Sequence, residues 1–93
     1  MANQEHLDIL KQGVEVWNQW RKEHPEIRPD LVLANLSDIN LSKVNLNRVN
    51  LSEAQFRGAD LREADLSWST ISRAICTGAD LSYANLSQAT LFK

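Results

Sequence analysis

The chain has 93 residues, enough for one small domain whose core lies near the lower limit for independent stability. Its formal net charge of −2 is uneven: residues 1–30 carry six acidic and four basic side chains, and residues 31–93 carry six of each. Neither part has the basic stripe of a nucleic-acid binder, the lone cysteine excludes an internal disulfide and suits a reducing compartment, and no stretch reads as a signal peptide or a bilayer span. A soluble, cytoplasmic protein without nucleic-acid or membrane partners is the expectation.

From Asn3 to about His24 the apolar residues follow a helical period. Leu7, Leu10, Val14 and Trp17 form one stripe, with Ile9, Val16 and Trp20 beside it, so one amphipathic helix is expected over this span. Asn3 is placed to cap it, with Glu5 and Asp8 in the first turn and Arg21, Lys22 and His24 in the last, the order that the helix dipole favours. Gly13 reads as a blemish in its interior. Pro25 stops the helix, and Pro25-Glu26-Ile27-Arg28-Pro29 should run extended into Asp30-Leu31. Residues 1–29 thus form a leader, and residues 30–93 obey a different rule.

In that second segment an apolar residue recurs every five positions without a skip: Leu31, Leu36, Leu41, Leu46, Leu51, Phe56, Leu61, Leu66, Ile71, Cys76, Leu81, Leu86 and Leu91. Two places before most of these stands a small residue, as at Ala34, Ala54, Ala59 and Ala64, with Ile39, Val44 and Val49 the bulky exceptions. A period of five fits neither helix nor strand, so the backbone must turn once per repeat and send both residues to one side. Such a chain winds into a coil that stacks on itself.

The A-[D/N]-L-x-x run from Asp30-Leu31 to Thr90-Leu91 resembles the pentapeptide-repeat protein family. Trp17-Asn18-Gln19-Trp20-Arg21 and Pro29-Asp30-Leu31 are similar to leaders ahead of such repeats in cyanobacterial members. The resemblance implies an all-β solenoid, a right-handed quadrilateral β-helix of about three coils with four repeats per coil. Leu31, Leu51, Ile71 and Leu91 would then share one column, and Leu41, Leu61 and Leu81 the opposite one. The helix, through Leu7, Leu10, Val14, Trp17 and Trp20, is expected to cap the first coil, where Ile39, Val44 and Val49 fill extra space. The last coil, ending at Leu91-Phe92-Lys93, is expected to be open and a template for association, with a homodimer as one outcome.

No catalytic constellation is visible. Ser37, Ser42, Ser52, Ser72, Ser82 and Ser87 follow the central residues, where short polar side chains suit turns. His6 and His24 have no ligand pattern around them, so neither a metal nor any other cofactor is expected. Cys76, at a central position, reads as an inert buried thiol. Outward apolar exceptions are better candidates for function: Trp68, Ile75 and Tyr83, beside Arg48, Arg57, Arg62 and Arg73, together with Leu91 and Phe92, form a candidate protein-binding set. The expected role is a non-catalytic interaction or scaffold module. DNA mimicry, which the resemblance raises as the alternative, requires an acidic rod, and the repeat segment is neutral.

Overall fold

Parallel bridges join Asp30 to Asn50, Asn35 to Gln55, Asn40 to Asp60 and Asn45 to Asp65, and the series continues to Thr70 with Thr90. These pairings come from a computed structural model, which describes residues 1–91; Phe92 lies outside the described residues. Each bridge spans four repeats. The Leu51 N–H donates to Thr70 O at 2.7 Å and the Asn50 N–H to Pro29 O at 3.0 Å, so alternate backbone groups pair with the coil on either side.

Each repeat bends at the two residues after its central position. The Ala34 N–H donates to Leu31 O at 3.1 Å and the Ala59 N–H to Phe56 O at 3.0 Å, closing four-residue turns. The third place of each turn has positive φ, from 58° at Asp38 to 64° at Leu33 and Arg48, with Gly58 at 68° and Gly78 at 73°. Asn or Asp before the central residue steadies the bend: Asn35 Oδ1 accepts from the Ser37 N–H at 3.1 Å, and Asp80 Oδ1 from the Ser82 N–H at 3.0 Å. This bond accounts for the carboxamides and carboxylates of the repeat.

The leader differs from the expected single helix. It forms α1 (Gln4–Lys11) and α2 (Val14–Glu23), broken at Gln12 and Gly13. Gly13, at φ 119° and ψ 163°, occupies a region essentially restricted to glycine, and its carbonyl starts α2 by accepting from the Trp17 N–H. A straight helix from 3 to 24 would reach about 33 Å at 1.5 Å per residue, longer than the 31 Å largest extent of the molecule. The break folds the apolar stripe back over the coil, so that Leu10 and Trp17 are buried while Leu7, Val14 and Trp20 pack partly buried beside them. Asn3 caps α1, its Oδ1 accepting from the N–H groups of Glu5 and His6. The following segment is not extended throughout: a turn closes at Pro25-Glu26, with the Ile27 N–H on His24 O at 3.2 Å.

Side chains of the helices take the places of a preceding coil. Within the stack, Asn50 N–H donates to Pro29 O and Asn50 O accepts from Leu31 N–H. The equivalent groups of Asn45 have no coil below them. Asn45 N–H donates to Asn18 Oδ1 at 2.8 Å, and Asn45 O accepts from Trp17 Nε1 at 2.7 Å and from an Arg21 terminal nitrogen at 3.0 Å. The other Arg21 terminal nitrogen reaches Asn47 O at 2.6 Å. At the Asp30 corner, Asn3 N–H donates to Asp30 O and His6 Nδ1 accepts from Asp30 N–H. Every one of these contacts satisfies a backbone group that would otherwise face an apolar helix.

Burial falls from one end to the other. Leu31, Leu36, Leu41, Leu46, Leu51, Phe56, Leu61 and Leu66 are at most 2% exposed. Ala34, Val44, Val49, Ala54, Ala59, Ala64 and Ser69 are also buried, and Ile39 is half-buried. In the third coil the ladder loses its cover, and the thiol expected to be buried is not. Ile71 and Leu81 are half-buried, Leu86 is 38% exposed, Leu91 is 61% exposed, and Cys76 is at the surface. The reason is geometric: the described chain places no further coil over this one, so the same inward position that is sealed at Leu46 and Leu66 is open at Leu86.

Candidate protein-binding surface

The outward residues sit on turns, so their positions follow from the repeat. Trp68 and Tyr83 each occupy the positive-φ place of a turn, with φ of 61° at both, which directs their side chains away from the core. Trp68 is 59% exposed and Tyr83 92%. Trp68 lies in register between Arg48 and Gln88, and Tyr83 stands above Glu63 and Lys43. Tyr83 borders a cleft of about 570 Å³ whose other walls include Lys43, Arg62, Glu63 and Asp80. Ile75 replaces the Asn or Asp of its repeat, lies over Gln55, and is exposed. Leu86 and Leu91 add apolar surface at the open coil.

The charges on this side are locally neutralised. Arg62 pairs with Asp60 at 2.7 Å, a contact between solvated groups that orients more than it stabilises. The Arg62 hydrogen bonds hold the Asp60 carboxyl below the usual carboxylate range, and the Ser82 hydroxyl and N–H do the same for Asp80. Arg48, Arg57 and Arg73 are exposed.

The remaining chemical groups are occupied by structure. Ser52 and Ser82 donate their hydroxyls to Asn50 and Asp80 within the turns. His6 accepts from Asp30 N–H through Nδ1, and His24 contacts Trp20 O through its ring nitrogen. Partial burial pushes the Cys76 thiol up, which disfavours the thiolate nucleophile even at its surface position. No group of three or more His, Cys, Asp or Glu among the described residues is placed to hold a metal ion. No helix of the described residues is long and apolar enough to cross a membrane.

Sequence reasoning placed Trp17 and Trp20 on the packed face and Arg21 in the last helical turn, but gave Asn18, Arg21 and Arg28 no contact with the coil. Arg21 lies one helical turn beyond Trp17, and that spacing was the available signal for a polar side chain on the same face. Nothing comparable marks Arg28, whose Nε donates to Arg48 O at 2.8 Å and whose terminal nitrogen donates to Thr70 Oγ1 at 3.0 Å.

The family model described as pentapeptide repeats matches residues 30–67 and 59–93, with eight copies of the repeat unit. The chain belongs to the pentapeptide repeat family. Members wind as right-handed β-helices and are generally structural, non-catalytic repeat proteins. Among solved structures, this pentapeptide repeat protein is similar to one from the thylakoid lumen of Arabidopsis thaliana, at 30% identity and a TM-score of 0.31. That match covers 69% of this chain and 55% of the Arabidopsis chain, so the present sequence spans about half of that protein's length. A second similar structure, a pentapeptide repeat protein from Nostoc, has 31% identity and a TM-score of 0.29, covering 78% of this chain and 73% of its own. A comparison with the curated proteins finds no match.

Proposed function

We propose that this pentapeptide repeat protein is a non-catalytic interaction module: a three-coil solenoid closed at one end by α1 and α2, which docks a protein through its third coil and the turns beside it. The observation that carries the reading is the concentration of uncovered apolar side chains there, with Tyr83 and Trp68 exposed and Ile75, Leu86 and Leu91 open at the coil edge. Large aromatic side chains that are exposed on a rigid frame supply binding area at low cost in conformational entropy. Backbone groups of this coil that no described coil covers would add directional hydrogen bonds. The partner we propose is a second copy of the chain, and the place of action the cytoplasm, where a single thiol stays reduced.

Molar mass by light scattering across a wide concentration range tests this directly. The expected result is a concentration-dependent dimer that Leu91→Asp abolishes while the circular-dichroism spectrum stays unchanged. A monomer at every concentration, or a dimer indifferent to Leu91→Asp, would remove the third coil as the self-association surface.

A further inference from the structure

We propose that the cleft between α2, the segment that follows it and the first coil is a binding site for a small oxyanion, either a phosphate or a polycarboxylate. The cleft measures about 440 Å³ and is lined by three arginines from three parts of the chain: Arg21 of α2, Arg28 of the following segment, and Arg48 of a first-coil turn. Asn45 and Asn47 also line it. Among the described residues the ion pair within 4 Å is Arg62 with Asp60, on another face, so none of these three guanidinium groups has a carboxylate partner at that range. Glu26 is the one carboxylate of the lining.

Arg21 is the decisive member. It is 9% exposed, and its buried Nε–H has no hydrogen-bond partner. Its terminal nitrogens donate to the carbonyls of Asn45 and Asn47, which satisfies hydrogen bonds but does not neutralise the charge. Desolvation by burial already acts against the charged form of Arg21, and the field of Asp65 only opposes it. Arg28 is held by Arg48 O and Thr70 Oγ1, again by neutral acceptors. Three like charges on fixed supports repel one another unless an anion stands among them. Guanidinium forks match the oxygens of phosphate and carboxylate in spacing and plane. The site is independent of the third coil and of the self-association proposed above.

Isothermal titration of the full chain with inorganic phosphate, and separately with citrate, at low ionic strength tests the assignment. Saturable one-site binding is expected, weakened about tenfold by Arg48→Gln, as loss of one charge-assisted contact implies, and unchanged by Arg73→Gln at the opposite end of the solenoid. Circular dichroism checks that Arg48→Gln remains folded; its side chain makes none of the bonds that clamp α2. Tighter phosphate assigns the site to phosphoryl groups, and tighter citrate to carboxylates. Absence of saturable heat with both anions, equal binding by Arg48→Gln, or equal weakening by Arg73→Gln would overturn the proposal.

Discussion

The burial gradient makes a quantitative statement about one column of the solenoid. Leu46, Leu66 and Leu86 are the same residue in the same position of successive coils, and they are 0%, 2% and 38% exposed. Leu→Ala removes three carbons, worth roughly 2.4 kcal/mol at about 0.8 kcal/mol each when fully buried. At Leu66 the coils above and below hold the backbone in place, so a cavity remains and the loss should reach about 3–4 kcal/mol. At Leu86 only about six-tenths of the side chain is buried and solvent reaches the gap, giving about 1.5 kcal/mol and no cavity contribution. Urea denaturation followed by far-ultraviolet circular dichroism, at a concentration where the chain is monomeric, measures both losses from the shift in midpoint at constant slope. A difference near 2 kcal/mol is expected. Equal losses would refute the argument, because they would require Leu86 to be as sealed in solution as Leu66.

Gly13→Ala should cost about 1–3 kcal/mol, the range for a side chain forced into the glycine-only region at φ 119° and ψ 163°, although a Cβ there meets no atom within 4 Å; a neutral result in the same denaturation assay would show that the break between α1 and α2 relaxes freely. Burial holds the His6 imidazole below its ordinary value, against the raising fields of Asp30 and Glu5, and its Nδ1 must stay unprotonated to accept from Asp30 N–H. The unfolded chain therefore binds the proton more tightly, so this contribution is complete above about pH 6.5 and declines as pH falls through that value toward the lower folded one. Stability measured between about pH 7.5 and pH 5 should fall less steeply in His6→Gln than in the parent, and parallel curves would exclude the linkage. Trp68→Ala should change stability by less than about 0.5 kcal/mol, as an exposed turn residue does; a loss well above about 1 kcal/mol would make Trp68 part of the packing and remove it from the docking surface.

The solenoid was legible in the sequence because each repeat states the same three requirements. Leu fills the interior, a small residue fits the narrow side, and Asn or Asp caps the turn. The leader was harder to read. Leu7, Leu10, Val14 and Trp17 keep helical spacing across Gly13, so periodicity alone cannot reveal that the backbone bends there. The bend is dictated by the width of what the helix must cover, which is a tertiary fact. Cys76 was misplaced for a related reason: the repeat specifies direction, and direction means burial only where another coil lies above. The contacts of Arg21 and Arg28 were not legible because all their acceptors except Thr70 Oγ1 are backbone carbonyls, those of Asn45, Asn47 and Arg48, and main-chain acceptors carry no sequence signature.

Every bridge in the stack joins residues twenty positions apart, from Asp30 with Asn50 to Thr70 with Thr90. Bringing two such partners together closes a loop of the same length each time, so no pairing is entropically more remote than the next. Once one coil lies on another, each further corner needs only five more residues to come into place. Formation of the protein should then behave like a zipper with a costly first tooth, and α2, which already fills the backbone sites of Asn45, offers the template on which that first turn of the winding is laid.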